Sequence, residues 1–164
     1  MKSETTRVTN EFPPVFNERS KVLILGSLPS VASRQAGFYY MNPHNRFWKM
    51  LAILFETPFP DFSKEQKIQA LLSRGVALYD VIETCEIKSS SDASIKSVKC
   101  ADISDILKGS EIGKILLNGQ KAYSLFLKFH PELAPLAKPM PSTSPANAKV
   151  SLDELVRIWG EELL

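Results

Sequence analysis

A chain of 164 residues, 44% of them hydrophobic, suits one compact domain and is too short for a second of ordinary size. Charged residues at 23%, with 7 glycines and 11 prolines, exclude a disordered tail or a low-complexity chain. Twenty basic against 18 acidic side chains leave a net charge of +2, which excludes a histone-like binder and allows only a local basic face.

The first twenty residues are polar, contain Pro13-Pro14, and read as an N-terminal extension (1–20) ahead of a single domain over 21–164. Residues 21–25 are a short apolar run stopped by Gly26-Ser27-Leu28-Pro29-Ser30, the pattern of a buried parallel strand feeding a loop. That loop continues through 37–43, and a helix begins near Asn45, with Phe47, Trp48, Leu51 and Leu54 at helical spacing. Ser63 with Gln66 forms a capping box for a helix to about Arg74, which Gly75 stops. Residues 76–82 read as a second buried strand, and the serine-rich, aperiodic 83–99 as a loop. A short helix over about 102–108 precedes a third strand, 114–118. Gly119 then turns into a helix with Ala122, Leu125, Phe126 and Phe129 on one face. Residues 137–140 form a short fourth strand and 141–147 a loop, after which Ser151 caps an amphipathic helix through Leu155, Ile158 and Trp159.

Strands alternating with helices predict a parallel sheet covered on both faces, a three-layer α/β/α sandwich with a short, mainly parallel sheet. In such sheets ligands sit at the carboxyl ends of the strands. Here those ends carry Gly26 to Pro29, Asp80, Asn118 and 141–144. Two cysteines, Cys85 and Cys100, are too few for an iron–sulfur cluster or a four-thiolate zinc site, and read as reduced thiols. With His44 and His130 the only histidines, no metal is expected. No run approaches the roughly 18 apolar residues of a membrane helix. The first residues lack the apolar core of a secretory signal, so the expected location is the cytoplasm.

Gly26 permits close backbone approach, and Pro29 fixes the turn. Tyr39 and Tyr40 follow in a loop, where an aromatic face near a sheet end suits stacking on a planar base; packing as a lid is the plain alternative. These segments carry a resemblance. Gly26-Ser27-Leu28-Pro29-Ser30, followed by Gly37-Phe38-Tyr39-Tyr40-Met41-Asn42-Pro43-His44-Asn45-Arg46-Phe47-Trp48, resembles the first motif of the uracil-DNA glycosylase superfamily. The hypoxanthine-DNA glycosylase branch is the most similar, with the mismatch-specific uracil and thymine glycosylases next. The segments 75–81, 91–95, 117–119 and 141–148 resemble that branch in order and spacing, so the resemblance spans about 22–159.

The resemblance implies an enzyme that flips a deaminated base out of DNA and hydrolyses its N-glycosidic bond, hypoxanthine first and uracil second. DNA containing such bases is then its partner, with no metal or organic cofactor, no membrane, and a monomer as the expected state. In this reaction the sugar moves toward an oxocarbenium ion while negative charge grows on the departing base. An uncharged amide positions water and donates to that charge, and without a nucleophilic lysine the enzyme is monofunctional. Mismatch-specific relatives carry the water-orienting asparagine where this chain has Leu28. The resemblance to the hypoxanthine branch assigns the role to Asn45 instead; a helix cap is its ordinary alternative. Asn42, where relatives often have histidine, is a second catalytic candidate.

The lactam shared by hypoxanthine, uracil and xanthine needs an acceptor for its N–H and donors for its oxygen. Asp80 stands where relatives place a base-reading side chain, and a cap or an ion pair is its alternative role. Backbone N–H groups of Ser27 and Leu28 are candidate donors, and Tyr40 matches the position that stacks on the flipped base. Ser142, Thr143 and Ser144 bring hydroxyls and amides suited to phosphate, with Asn147 on the DNA backbone or opposite strand; a plain turn is the alternative. Arg34, Arg46, Lys138, Lys149 and Arg157 are candidates for a basic rim, Ser91 to Ile95 for pocket wall or loop support, and Trp48 and Trp159 for core. Two other classes stand beside this reading. One is a lesion- or single-strand-binding module that does not cleave, motivated by Leu28. The other is a nucleotide enzyme on a flavodoxin-like fold, for which neither a P-loop nor Gly-x-Gly-x-x-Gly is present.

Overall fold

The computed structural model describes residues 6–9, 12–28, 30–87 and 96–164. In chain order its elements are β1 (Thr6–Thr9), β2 (Val22–Gly26), α1 (Val31–Ala36), α2 (Phe47–Phe55), α3 (Lys64–Leu72), β3 (Val76–Asp80) and β4 (Ile82–Ile87). They continue with β5 (Lys96–Cys100), α4 (Ser104–Lys108), β6 (Lys114–Asn118), α5 (Gln120–Phe129), β7 (Ala137–Met140) and α6 (Leu152–Leu163).

Period-two alternation along the central strands creates the layers. The sheet order is β3-β2-β6-β7, with every pair parallel. Ile24, Leu78 and Leu116 point to one face, where they meet Leu51 of α2, Leu71 of α3, and Leu155 and Trp159 of α6. Leu23, Leu25, Ala77, Ile115 and Leu117 point to the other, against Ile106 of α4 and Ala122, Leu125 and Phe126 of α5. Both faces are therefore dry, as a parallel sheet requires. The expected three-layer α/β/α architecture is the one observed. Trp48 and Trp159 are both core, and the capping box of Ser63 and Gln66 is formed with both of its hydrogen bonds.

Three segments differ from the sequence reading. Residues 83–99 contain strands rather than a continuous loop: β4 pairs antiparallel with β1 and with β5 in a second, three-stranded sheet. The chain passes from β3 into this sheet through Val81 alone. Polar composition and register shifts at Ile82/Thr84 and Thr84/Glu86 remove the apolar alternation that would have marked β4. The described residues among the first twenty are integral to the domain. Thr6–Thr9 pairs with β4, Phe12 and Val15 are buried, and Val15 bridges Leu78. Within the loop after β2, six residues form α1, capped by Ser30, whose hydroxyl accepts the Ser33 N–H. Pro29 and the 91–95 motif lie outside the described residues. Among those residues Cys100 is a free thiol, and no helix is long and apolar enough to cross a membrane.

The far end of α6 is tied to the sheet electrostatically. Glu162 is bonded to Lys138 of β7 and, at 3.0 Å, to Lys114 of β6, and these two bonds hold its carboxyl below the usual value of 4.5. A depressed carboxyl stabilises the fold fully above its unfolded-state value and loses that contribution as pH falls through the folded-state value. Glu162→Gln is therefore expected to lower the melting temperature by roughly 2–4 °C at pH 7, the size effect of about 1 kcal/mol. The gap between variant and wild type should close as thermal scans move below pH 4.5.

Candidate active site

Gly26 and Asp80 are cross-strand partners at the carboxyl ends of β2 and β3. A Cβ on Gly26 would stand 2.8 Å from Asp80 Oδ1 and 3.0 Å from the Tyr40 hydroxyl, so a glycine is required for these groups to converge. Asp80 is only 3% exposed. Tyr40 has φ of 56°, a left-handed conformation unfavourable for a bulky residue, of the order of 1–3 kcal/mol. Its ring stacks on Phe47 at 4.1 Å, while its hydroxyl oxygen is buried near the Asn118 side chain and has no hydrogen-bond partner of normal geometry among the described residues. Burial, reinforced by the Asp80 charge, pushes the phenol pKa far up, so the hydroxyl stays neutral.

The turn that holds Tyr40 is over-determined. Gly37 ends α1 at φ 77°, and the buried Ser33 hydroxyl accepts the Met41 N–H at 2.8 Å. Trp48 Nε1 donates to the Tyr39 carbonyl, and the Tyr39 hydroxyl donates to the Pro13 carbonyl. Tyr39, 2% exposed, therefore packs as core between Phe12 and Phe38, and of the two tyrosines Tyr40 is the one at the strand ends.

A chain of side-chain hydrogen bonds runs alongside. Asn118, at the end of β6, donates from Nδ2 to Thr143 Oγ1, which donates at 2.8 Å to Asn45 Oδ1. The Thr143 N–H returns to Asn118 Oδ1. Asn45 Oδ1 also accepts the N–H of Phe47, the first residue of α2, at 2.9 Å, although the N-cap position itself is Arg46; its Nδ2 makes no hydrogen bond among the described residues. Asn42 builds the turn before it: its Oδ1 accepts the His44 N–H and its carbonyl the Asn45 N–H. Leu28 is half-buried against the α5-side core, and the Ser27 carbonyl accepts the Ile82 N–H, extending the ladder with β4.

The 141–150 loop is shaped from within. Arg46 spends its guanidinium on four backbone carbonyls, those of Thr143 (3.4 Å), Ser144 (3.0 Å), Asn147 (3.0 Å) and Val150. Its backbone N–H adds a second bond to Thr143. Arg46 is thus an internal strut and not part of a basic rim. Nothing in the sequence separates the two, because a guanidinium is equally at home on water and on carbonyls. Thr143 is fully buried, so its hydroxyl serves the amide chain and is not presented outward to DNA. Ser142 and Ser144 accept backbone N–H groups inside the loop, and Asn147 Nδ2 donates to the Ser142 carbonyl. Ser142, Ser144 and Asn147, with Gly119, Gln120 and Pro141, line an open groove of about 600 Å³. Lys138 is taken by Glu162, and Arg157 lies 3.9 Å from Glu161, whereas Arg34 and Lys149 form no ion pair among the described residues. No group of three or more His, Cys, Asp or Glu side chains among those residues is placed to hold a metal ion.

The strand ends of this three-layer fold gather a buried carboxylate, a phenol and a linked amide pair. A sequence model of the uracil DNA glycosylase superfamily matches residues 13–161, and the chain belongs to that family. It is similar to a protein from Methanosarcina acetivorans named hypoxanthine DNA glycosylase, with 32% identity over 85% of this chain and 89% of the relative. A protein of the same name from Methanosarcina barkeri is 32% identical over 68% and 71% of the two chains. Among solved structures, the solution NMR structure of a provisionally named uracil DNA glycosylase from Methanosarcina acetivorans superposes with a TM-score of 0.77 at 29% identity. That match covers 92% of this chain and 95% of the other.

If Arg46 is the strut, Arg46→Ala should destabilise the domain by about 2–3 kcal/mol, since several charge-assisted bonds to carbonyls vanish together. Native-state hydrogen exchange is expected to speed up at the amides of 143–150 and to leave those of β2 and β6 unchanged.

Proposed function

We propose that this chain is a monofunctional DNA glycosylase that removes hypoxanthine from deaminated DNA, with uracil as its second substrate. Its class as a DNA glycosylase follows from its family. The observation that supports the finer reading is the placement of the buried Asp80 carboxylate beside Tyr40 over the bare Gly26, next to the Asn118–Thr143–Asn45 chain. The names of the two relatives favour hypoxanthine over uracil as the first substrate.

In this reading the deaminated nucleotide rotates out of the duplex, a step cheapest for weakly paired lesions. The base lies beside Tyr40, whose ring is held by Phe47, and gives its lactam N–H to Asp80. Asn45 is held rigidly through Oδ1, so its uncommitted Nδ2 is the group that holds the attacking water. The C1′–N bond breaks with its electron pair leaving on the base. The water oxygen bonds to C1′ and its proton passes to solvent, which leaves an abasic site and a free base. Electrostatic help to the departing base is expected to be a large share of the rate. The loop stiffened by Arg46 is a preformed edge for the DNA backbone, with Lys149 and Arg34 adding charge. With a net charge of only +2, affinity should be moderate and should fall with salt in proportion to the phosphates contacted.

The test is a panel of duplexes carrying inosine, uracil or xanthosine, read by alkaline cleavage of the abasic product. Wild type is expected to cut the inosine duplex fastest. Asn45→Ala should lose about 10²–10³-fold in single-turnover rate while keeping most of its DNA affinity. An equally active variant would pass the role to Asn42, and lesion binding without any strand scission would favour a non-cleaving module. Gly26→Ala, which drives a methyl into Asp80 and Tyr40, should cost up to about 10²-fold in the same assay through misplacement of the base.

A further inference from the structure

The Tyr40 hydroxyl, close to the Asn118 side chain, finds no hydrogen-bond partner of normal geometry among the described residues. A phenylalanine there would stack on Phe47 equally well and would spare the domain a buried hydroxyl that no described group satisfies. The residue is nonetheless kept at φ 56°, and the turn built by Gly37, Ser33 and Trp48 holds it there. Unfavourable backbone geometry and an unsatisfied polar atom at one residue are the marks of a group prepared for a ligand. The hydroxyl and Asp80 Oδ1 crowd the same bare Cα, that of Gly26, so both are presented at one corner of the site.

Resting on the glycosylase reading, we propose that the Tyr40 hydroxyl donates a hydrogen bond to the lactam oxygen of the flipped base while Asp80 accepts the adjacent N–H, the two forming a reader that rejects adenine. Tyr40 is then a specificity-determining residue that meets the edge of the base with its hydroxyl, in place of a ring on which the base stacks. The chemistry is directional. The phenol stays protonated because burial and the neighbouring carboxylate both oppose its ionisation, so it is available as a donor. Asp80 is acceptor-only when ionised, with several lone pairs. A donor beside an acceptor complements –N(H)–C(=O)–, which hypoxanthine presents through N1–H and its 6-oxygen, and uracil through N3–H and its 4-oxygen. Adenine presents the reverse order, a bare N1 toward the carboxylate and an amino group toward the phenol. The carboxylate then faces a bare N1, a repulsive contact, and the phenol finds no acceptor on the base for its proton, so a site built this way discriminates.

The experiment uses the full chain and Tyr40→Phe in single-turnover excision from an inosine duplex, with a melting curve of each protein. The expected result is a loss of at least about tenfold in rate for the variant, with a melting temperature equal to or above that of wild type. The rate of hypoxanthine release relative to adenine release should fall by the same factor. Full activity in Tyr40→Phe overturns the proposal, and so does a rate loss accompanied by a matching fall in melting temperature, which would make the hydroxyl structural. A wild type that excises no lesion would instead sink the glycosylase reading. Calorimetric titration with free hypoxanthine and free adenine then decides the reader by itself: preference for hypoxanthine that disappears in Tyr40→Phe sustains it, and equal binding of the two bases overturns it.

Discussion

The constraint on which the site depends is the hydrogen-bonded line from Asn118 through Thr143 to Asn45. It joins the end of β6, the loop after β7 and the start of α2, three segments far apart in sequence. Thr143 is its pivot: a fully buried hydroxyl that accepts from one amide and donates to another, its own N–H returned to the first. Asn118 and Thr143 bond each other in both directions, which fixes the hydroxyl that holds Asn45 by its Oδ1 and leaves the Asn45 Nδ2 uncommitted among the described residues. Arg46, next in the chain, binds four carbonyls of the same loop, so two adjacent residues set both the interior and the outline of that side of the site.

Against this rigidity stands a corner that is plainly unfavourable. Tyr40 is in a left-handed conformation, its hydroxyl has no hydrogen-bond partner among the described residues, and Asp80 is buried beside it. The surroundings offset it with aromatic packing: Phe38 stacks on Trp48, Trp48 on Phe59, and Phe47 meets Trp159 edge to face. Dense apolar contact on the α2 side of the sheet lets the polar side depart from the local optimum, as functional sites commonly do.

The cations illustrate how little composition says about a surface. Arg46 is used on carbonyls. Lys67, almost fully buried, donates to the Phe62 carbonyl and lies over the Trp48 ring. Lys114 and Lys138 converge on Glu162. These four hold the fold together, so the charge left for a polyanionic partner is smaller than the count of basic residues suggests.

Much of this was legible in the residues. Apolar runs stopped by small or polar residues mark β2, β3 and β6, because strands buried on both faces leave no choice of side chain, and local capping chemistry marks the starts of α3 and α6. The sheet ends at which Gly26, Asp80 and Asn118 meet follow from the same alternation. Beyond reach were β1, β4 and β5, where pairing is non-local and polar residues are tolerated, and α1, too short for a periodicity. Which tyrosine becomes core, whether Arg46 faces solvent or carbonyls, and whether Thr143 turns in or out are equally invisible, since each depends on partners dozens of residues away. The sequence alone determined the layers and the strand ends that bear the site, through local periodicity. Only the tertiary structure decided which polar atoms are paired inside it and which one is left unpaired, because pairing is a property of distances between segments that the chain order does not contain.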